Sequence, residues 1–552
     1  MPERPISSAF TLGPWRKFSG VSVLLLYILL ITTVLYLFHF TPESCGSRHS
    51  NPCPYEPTIY NVPFVRPPQS QRKFTSPAVE EFIVHVTGKM RDGDLKTLLE
   101  NCLPNTLDTT VEWFDVDNSS SSHDPRAFLI TGDIPAMWIR DSTNQISPYA
   151  SIAKKDPRLQ RLILGVLNVQ ATYLYYDPYA NAFLRPWDAP KQDERYGADD
   201  RVIPNYDATY VWESKYELDS IANFFQLANN YIQATQDYEG VFLSSEWLKA
   251  VPRVLIVLHD QMKGTWEDTR DIMDLESPHH SIRQTGKAES APLPLPIGDG
   301  YRFRRTTERP TETLGENGRG GIARECGLVK SAFRPSDDAT TFPYLIPANA
   351  QLAVQLQMLS DHLQHVPHLL TPLLIDIEQR TRKLSQTVRT AIEKHGIVEH
   401  PTFGRIYAFE VDCYGSYLLM DDANMPSLLS LPILGYVSRT NTVYQATRAF
   451  VLSLNNPWYF EGTFASGVGG PHTGQDMIWP MSLLVRIQTS VDEVEIRHVL
   501  DEVKRWSART GLMCESFDKN EPSQFTRPWF SWANGLAGTT IIYLLDHYPH
   551  LV

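Results

Sequence analysis

Residues 131–149, TGDIPAMWIRDSTNQISPY, combine side chains that could bind a sugar. The stretch carries the carboxylates of Asp133 and Asp141, the guanidinium of Arg140 and the indole of Trp138. Carboxylates and guanidinium groups form paired hydrogen bonds with neighbouring hydroxyls, and an aromatic ring stacks on the C–H face of a sugar. The pattern therefore predicts a polar pocket with an aromatic wall. The alternative is a helix start in which Asp133 caps the first turn and Arg140 forms a structural ion pair with Asp141.

Several other carboxylates adjoin aromatic or apolar residues, glycine or proline. Such neighbours imply partial burial, and buried carboxylates persist when they are paired, hydrogen-bonded or functional. The residues concerned are Glu213, Glu217, Asp219, Asp337, Asp338, Glu410, Asp412, Asp421, Asp422 and Glu515. Adjacent aspartates such as Asp337 and Asp338 raise each other's proton affinity, so one of them is expected to stay protonated near neutral pH.

Glycoside hydrolysis needs two carboxyl groups on opposite sides of the scissile bond. One protonates the leaving oxygen, and the other attacks the anomeric carbon or activates a water. Spacing alone identifies no pair here. Residue chemistry favours Glu515 together with Asp337 or Asp338, because each lies in a loop beside apolar and aromatic residues. The alternative interpretation of Glu515 is a helix-terminal carboxylate.

Composition and missing motifs exclude several other functions. The formal charge of −13 argues against a nucleic-acid partner, which would need a basic patch. The sequence has no GxSxG, no HExxH and no phosphate loop. Asp421, Asp422 and Asn424 could offer oxygen ligands to Ca²⁺, but a helix cap before Pro426 is the preferred interpretation. We therefore predict neither a metal nor a cofactor.

The glycine-rich segment 467–474, GVGGPHTG, lacks the lysine of a nucleotide loop. We interpret it as a close-approach turn that carries His472 towards a pocket, with a bare turn as the alternative.

The first 75 residues predict membrane anchoring. Residues 21–38, VSVLLLYILLITTVLYLF, carry no charge, and two more residues extend the run to the length of a membrane span. Basic residues precede the run without a basic excess after it, which predicts a single-pass type II membrane protein of the secretory pathway, in the Golgi or ER. The expected parts are a cytosolic tail (1–20), a signal-anchor (21–40), a lumenal stem (41–75) and a catalytic domain (76–552). A cleaved signal peptide is the alternative.

Six cysteines without a CxxC motif or zinc-finger spacing argue against a structural metal. Disulfides are expected in the oxidising compartment that this localisation implies. The sequon at Asn118 lies in a polar run, which predicts an exposed glycosylated loop.

Helical periodicity dominates the rest of the chain, and strand-like alternation is scarce. Eleven or twelve helices joined by long loops indicate a barrel of paired helices with a pocket at one end. Residues 264–320 are too long and polar for an ordinary connection and are either a pocket wall or a mobile insertion. The predicted helical segments are 78–103, 142–155, 157–175, 213–234, 244–262, 348–363, 366–396, 441–453, 476–488, 490–509 and 531–548.

Blocks along the chain resemble glycoside hydrolase family 125, and the membrane-anchored fungal-type members in particular. The resemblance implies an all-α fold, an (α/α)6 helical barrel with long pocket-forming loops, preceded here by one transmembrane helix. It also implies an exo-acting, inverting, metal-independent α-1,6-mannosidase that acts on mannose-containing glycans. The blocks are TGDIPAMWIRDSTNQISPY, WESKYELDS, FRPSDDATTFPYLIPAN, LMDDANMPSLLSLP, NPWYFEGTFASGVGGPHTG with IWPMSLL, and ESFDKNEPSQFTRPWFSWANGL.

The resemblance also assigns roles to residues. The general acid falls at Asp337 or Asp338, and the general base is Glu515. Residues expected to contact the terminal mannose are Asp133, Trp138, Arg140, Asp141, His472 and Arg527.

Two cysteines depart from the family pattern, which has glycine at Cys413 and histidine at Cys514. We predict that Cys413 and Cys514 face each other as a disulfide beside Glu515. The loss of the histidine leaves a second hypothesis, a catalytically silent glycan-binding membrane protein on the same scaffold.

Overall fold

The helical periodicity of the sequence becomes twelve helices of eight residues or more in the part of the chain that the structure describes. The computed structural model describes residues 58–115, 124–190, 200–266, 294, 295, 297 and 300–552. The twelve helices are α1 (Pro77–Thr87), α2 (Gly93–Cys102), α3 (Ile139–Ile146), α4 (Pro157–Tyr176), α5 (Leu218–Thr235), α6 (Ser245–Asp260), α7 (Ile346–Gln364), α8 (Pro372–Ala391), α9 (Thr442–Val451), α10 (Pro480–Thr489), α11 (Glu493–Thr510) and α12 (Ser531–His547). Shorter helical turns are Asn105–Thr109, Ala150–Ala153, Tyr238–Phe242 and Gly315–Gly318.

Polar side chains define where several helices begin. The Asp156 carboxylate accepts hydrogen bonds from the backbone N–H groups of Arg158 and Leu159 at the start of α4, and Pro157 occupies the first helical position. Ser244 caps α6 in the same way. These groups satisfy N–H donors that have no partner within the helix, and each cap stabilises its helix by about 1 kcal/mol.

Helix α12 packs against α2, α3 and α10, so it lies in the interior. Further contacts join α3 to α5, α5 to α7, α7 to α8, α4 to α6 and α10 to α11. Gly538 lets α12 approach the chain after α2 closely, because a Cβ there would lie 2.9 Å from the Cα of Leu103. The side chains of Trp247 and Trp506 are fully buried, and a large apolar side chain contributes roughly 1.5 to 3 kcal/mol on burial.

Seventeen short strands, each of two to four residues, accompany the helices in the described residues. The prediction of an all-α fold omitted them, because alternation cannot be recognised in so few residues. All the paired strands are antiparallel. The strands are β1 (Val111–Phe114), β2 (Ala127–Leu129), β3 (Met137–Trp138), β4 (Ala182–Phe183), β5 (Asp200–Ile203), β6 (Val211–Glu213), β7 (Arg302–Arg305), β8 (Tyr344–Leu345), β9 (Ile397–His400), β10 (Gly404–Tyr407), β11 (Glu410–Val411), β12 (Tyr417–Leu418), β13 (Tyr459–Glu461), β14 (Ser466–Val468), β15 (Met477–Ile478), β16 (Ser516–Asp518) and β17 (Phe525–Thr526).

Five of the strands lead into helices that pack on one another. In chain order, β3 precedes α3, β6 precedes α5, β8 precedes α7, β15 precedes α10 and β17 precedes α12. The five strands belong to three three-stranded sheets, of order β3-β4-β6, β12-β11-β8 and β15-β16-β17. The first sheet joins the strands that precede α3 and α5, and the third joins those that precede α10 and α12. A helix N-terminus carries partial positive charge and favours a nearby carboxylate. Two of these helices carry acids there, Asp141 in the first turn of α3 and Glu217 with Asp219 at the start of α5.

The predicted localisation needs correction. Across the described ranges, no helix has both the length and the apolar character of a membrane span. This finding contradicts the type II membrane prediction. The tail (1–20), the proposed span (21–40), most of the proposed stem and Asn118 lie outside the described residues.

The insertion 264–320 is described only in part, since residues 267–293 lie outside the described ranges. Strand β7, near its end, pairs with β5 along four residues. The Tyr301 hydroxyl donates to the Ser214 carbonyl oxygen (2.7 Å) and accepts from the Tyr216 N–H (3.0 Å). This end of the insertion therefore braces the chain just before α5.

The predicted bond between Cys413 and Cys514 is wrong. Cys413 is bonded to Cys326, with 6.3 Å between the Cα atoms, whereas Cys514 is a buried free thiol. The physical reason is the sheet arrangement. Cys413 follows β11, which pairs with β8, and Cys514 lies two residues before β16 in another sheet. The Cys514 thiol donates instead to the carbonyl oxygen of Ser516 (3.4 Å), and burial raises the pKa of that thiol well above its usual value.

Removing this disulfide should destabilise the protein. The Cys326→Ser variant is expected to lose about 2 to 5 kcal/mol of unfolding free energy, because the bond closes a long loop in the unfolded chain. The two cysteines are 87 residues apart. Urea denaturation under non-reducing conditions measures the loss. Wild type and variant should become alike in a dithiol reductant, and an equal difference in both conditions would contradict the assignment.

Candidate active site

Arg140, in the first turn of α3, lies among four carboxylates and is 3% exposed. Its guanidinium nitrogens are 2.7 Å from a Glu217 oxygen, 3.3 Å from Asp141, 3.4 Å from Asp219 and 3.6 Å from Asp337. Burial alone would lower the pKa of Arg140, but these carboxylates raise it well above its usual value. Three of these carboxylates are buried and one guanidinium cannot balance them all, so such a cluster favours keeping a proton on one of its carboxyl groups.

Glu217 and Asp337 share a bridging amide within this cluster. The Asn181 side-chain NH₂ donates to Glu217 Oε1 (3.0 Å) and Asp337 Oδ1 (3.4 Å). The Glu217 side chain is fully buried, whereas the Asp337 side chain is 24% exposed. Asp337 has a φ of +68°, which is uncommon for a residue with a side chain.

The two members of the pair titrate in opposite directions. Burial raises the pKa of the Glu217 carboxyl well above its usual range. Burial would also raise the pKa of Asp337, but the charges of Arg140, Lys215 and His472 outweigh that effect and hold it below its usual range. The expectation that one of the two adjacent aspartates stays protonated is not met at Asp337, because the nearby cations favour its carboxylate form.

Asp338 lies in different surroundings from its neighbour. Its side chain is 1% exposed. The Ser336 hydroxyl is 2.7 Å from an Asp422 carboxylate oxygen and 3.3 Å from one of Asp338. The loop closes through backbone hydrogen bonds, in which the Arg334 N–H donates to the Asp338 carbonyl oxygen and the Asp337 N–H donates to that of Arg334. The Asp337 side chain is consequently partly exposed, whereas that of Asp338 is buried.

Glu410 anchors this loop from β11. Arg334 donates to one of its carboxylate oxygens (2.6 Å), and the backbone N–H groups of Thr341 and Phe342 donate to the other (2.8 and 2.9 Å). Arg334 and Glu410 are both buried. This network sets the position of Asp337 through backbone rather than through the aspartate side chain itself.

Glu515 stands immediately before β16 and is 5% exposed. The Thr526 hydroxyl donates to its Oε2 (2.9 Å), and Arg527 Nη1 donates to its Oε1 (3.3 Å). Arg527 Nη2 also donates to Asp133 Oδ1 (2.7 Å), so one guanidinium joins Glu515 to the 131–149 stretch. Gly132 makes this junction feasible, since it has a φ of +139° and a Cβ there would lie 2.6 Å from the carbonyl oxygen of Trp529.

His472 stands at the tip of the glycine-rich turn. Gly469 lets the turn approach β15 closely, because a Cβ there would lie 2.1 Å from the carbonyl oxygen of Met477. The His472 Nδ1 is 3.9 Å from Asp338 Oδ1. Burial lowers the pKa of His472, but Asp338, Asp337 and Glu515 outweigh burial and raise it to about 9. The imidazolium therefore lies in the field of the 336–338 loop and of Glu515 together.

The charge on His472 predicts a pH effect on stability. A histidine whose pKa is raised on folding stabilises the protein fully below about pH 6.5 and loses that contribution as pH rises through about 9. The unfolding free energy should fall by about 2 kcal/mol more in wild type than in His472→Gln over this interval. Urea denaturation at several pH values measures the difference. Replacement of the exposed His368 is the control, and parallel pH curves for wild type and His472→Gln would contradict the assigned charge.

Trp138, the predicted aromatic wall, is 7% exposed and packs with Ala136 and Ala182, with Trp212 against the group. Another indole lies near the acidic cluster, because the Arg140 guanidinium is 5.8 Å from the ring centre of Trp532. Sequence reasoning noted Glu217 and Asp219 but gave them no site role, and it missed Asn181 and Thr526. The WESKYELDS block was the available signal for the two acids.

The structure thus brings the predicted residues into two joined groups. Asp141 and Arg140 lie with Asp337, whereas Asp133 and Arg527 lie with Glu515. Carboxylates of both groups raise the pKa of His472. In the described residues, one set of side chains converges closely enough to bind a metal, and it lies outside these groups at Cys326, His395 and Cys413, two of which are bonded to each other. The chemistry that this arrangement offers is proton transfer between carboxyl groups and a polar ligand.

Comparisons with known proteins agree with such chemistry. The family model of the metal-independent alpha-mannosidases, glycoside hydrolase family 125, matches residues 92–542. The chain is 45% identical over 493 residues to the Meiotically up-regulated gene 157 protein of Schizosaccharomyces pombe, covering 89% of this chain and 90% of that protein. It resembles a metal-independent alpha-mannosidase of Streptococcus pneumoniae solved in a non-productive complex with alpha-1,6-mannobiose, with a TM-score of 0.72, 31% identity, and coverage of 86% of this chain and all of the other. The chain therefore belongs to the metal-independent alpha-mannosidases of glycoside hydrolase family 125.

Proposed function

We propose that this protein is an exo-acting mannosidase that hydrolyses terminal α-1,6-linked mannose in glycans, with inversion and without a metal. The observation that carries the proposal is the pair of carboxyl groups, Asp337 and Glu515, each oriented by its own hydrogen-bond network beside one imidazolium. Membership of the family supports the mannose substrate. The mannobiose bound to the Streptococcus pneumoniae relative supports the linkage.

In this mechanism Asp337 is the general acid and Glu515 the general base. Glu515 takes a proton from a water, the water oxygen bonds to the anomeric carbon, and the glycosidic oxygen leaves with a proton from Asp337. The Asp337 side chain is 24% exposed and that of Asp338 is 1% exposed, and this difference supports Asp337 as the acid. Inversion expects the two carboxyl groups about 6.5 to 9.5 Å apart, with the water between them.

Binding of the terminal mannose is assigned to charged residues near the two carboxyl groups. Asp133 and Arg527 are paired and partly exposed, so their remaining hydrogen-bonding capacity can serve sugar hydroxyls. Asp141 and Arg140 are almost fully buried and are assigned to positioning the site from behind. The assignment of Trp138 as a stacking wall stays part of the proposal, with the residue 7% exposed.

The scaffold of the site is proposed to be an (α/α)6 barrel within residues 76–552. The twelve helices support this architecture, as do the packing of α3 on α5, α5 on α7, α10 on α12 and α12 on α3. The long loops before α5, α7, α10 and α12 would form the pocket at the end where those helices start.

Hydrolysis of α-1,6-mannobiose tests the proposal. Purified protein should release mannose at the same rate with and without EDTA, and α-1,2- and α-1,3-mannobiose should be poorer substrates. The silent glycan-binding hypothesis predicts binding of mannobiose without release. Absence of mannose release from every mannobiose would overturn the proposed function.

A further inference from the structure

The positive charges around Asp337 oppose its proposed role as general acid. A general acid must carry a proton near the working pH. Asp337 lies 3.6 Å from the Arg140 guanidinium, and Lys215 and His472 also contribute positive charge, so its carboxylate form is favoured. Asp337 alone would therefore seldom carry the proton that the leaving oxygen needs.

Glu217 shares two partners with Asp337, the Arg140 guanidinium and the Asn181 amide, and is suited to hold that proton. It sits at the N-cap of α5 with a fully buried side chain. Its contacts fix both oxygens. Arg140 Nη1 and the Ser220 hydroxyl donate to Oε2 (2.7 and 3.0 Å), and Asn181 donates to Oε1 (3.0 Å). Two neighbouring carboxyl groups that share partners in this way hold one proton between them more readily than none.

We propose that Glu217 is a positioning residue that stores the proton which Asp337 delivers to the glycosidic oxygen. This inference rests on the proposed function. As the glycosidic bond breaks, the single proton of the pair passes from Glu217 to Asp337 and from Asp337 to the leaving oxygen, which leaves both carboxyl groups ionised. Glu515 meanwhile gains the proton of the attacking water. After product release, Glu515 loses its proton to solvent and the Glu217–Asp337 pair regains one, so the cycle balances.

The other charged groups around Glu217 do not replace it. Arg140 from α3 is permanently cationic, and Asp141 touches the cluster through Arg140. Asp219, on the same helix as Glu217, pairs with Arg140 at 3.4 Å. Burial raises the pKa of Asp219 to about 6, and Arg140 opposes that rise. Of the other acids on Arg140, Glu217 is the one that Asn181 bridges to Asp337.

The Glu217→Gln variant tests the inference. On α-1,6-mannobiose, kcat should fall about 100- to 1,000-fold at neutral pH, since an amide cannot pass on the proton. The alkaline limb of the kcat/KM profile should move to lower pH by at least about two units, because Asp337 must then hold its own proton beside three cations. On α-mannosyl fluoride, whose fluoride ion leaves with little need of a proton, the variant should stay within about threefold of wild type.

Asp219→Asn is the matched control, because it removes the other buried α5 carboxylate on Arg140. Its effect should be similar on both substrates, with the alkaline limb unmoved. Equal losses on both substrates for Glu217→Gln, or an unmoved limb, would overturn the inference and leave the proposed function intact. Should the variant not fold, an alkaline limb of wild type no higher than an ordinary carboxyl pKa would overturn it as well. Failure of wild type to release mannose would refute the proposed function itself.

Discussion

Glu515→Gln is expected to lower kcat for α-1,6-mannobiose about a thousandfold. A carboxamide keeps the shape and can still accept from Thr526, but it cannot take the proton of the attacking water. The KM should change little, because Asp133 and Arg527 keep their own ion pair at 2.7 Å. Initial rates of mannose release across a substrate series measure both constants.

Glu521→Gln provides the matched control for this variant. Glu521 is an exposed carboxylate between β16 and β17 and accepts from the Ser523 hydroxyl (2.6 Å). Its replacement should leave kcat within about twofold of wild type, as surface substitutions usually do. A Glu515→Gln enzyme with nearly full activity would remove Glu515 from the reaction.

Asp337→Asn should have a similarly large effect that depends on the leaving group. On α-1,6-mannobiose the loss is expected to be about a thousandfold, because the departing sugar oxygen needs a proton. On α-mannosyl fluoride the loss should be about tenfold or less. The ratio of the two losses, measured at one pH with both substrates saturating, identifies the acid.

Asp338→Asn is the companion variant, since it changes the adjacent residue of the same loop. Asp338 is 1% exposed beside Ser336 and the imidazolium of His472. Its replacement should lower stability and affect the two substrates equally. If Asp338→Asn rather than Asp337→Asn spares the fluoride selectively, the assignment of the acid is reversed.

The sequence alone predicts the helices well, since apolar spacing over ten or more residues is a strong signal. The predicted segment 78–103 divides into α1 and α2, with Asp92 capping the second. The strands could not be predicted, because two to four residues carry no alternation. The strands nevertheless help to position the site. Strand β3 leads into α3, which carries Arg140, and β6 comes shortly before Glu217 at the start of α5. Strand β17 ends at the residue before Arg527.

The candidate site, like the fold, could be predicted from the sequence only in part. Residue chemistry predicted Asp337, Asp338 and Glu515 but could not separate the two aspartates, because their different exposure depends on the backbone, which has a φ of +68° at Asp337. The role proposed for Glu217 could not be predicted, because its partner Arg140 lies 77 residues away in the chain. The bond of Cys413 to Cys326 was missed for a related reason, since cysteine positions do not determine pairing.

The anomeric configuration of the first product is the most direct test of whether Glu515 acts as a general base. If Glu515 activates a water, proton NMR of a fresh reaction with α-1,6-mannobiose should show β-mannose first, followed by mutarotation to the α-anomer. If Glu515 instead attacks the anomeric carbon, α-mannose appears first and a glycosyl-enzyme intermediate forms on the glutamate. β-Mannose is the expected first product, and initial formation of α-mannose would show that Glu515 is not a general base.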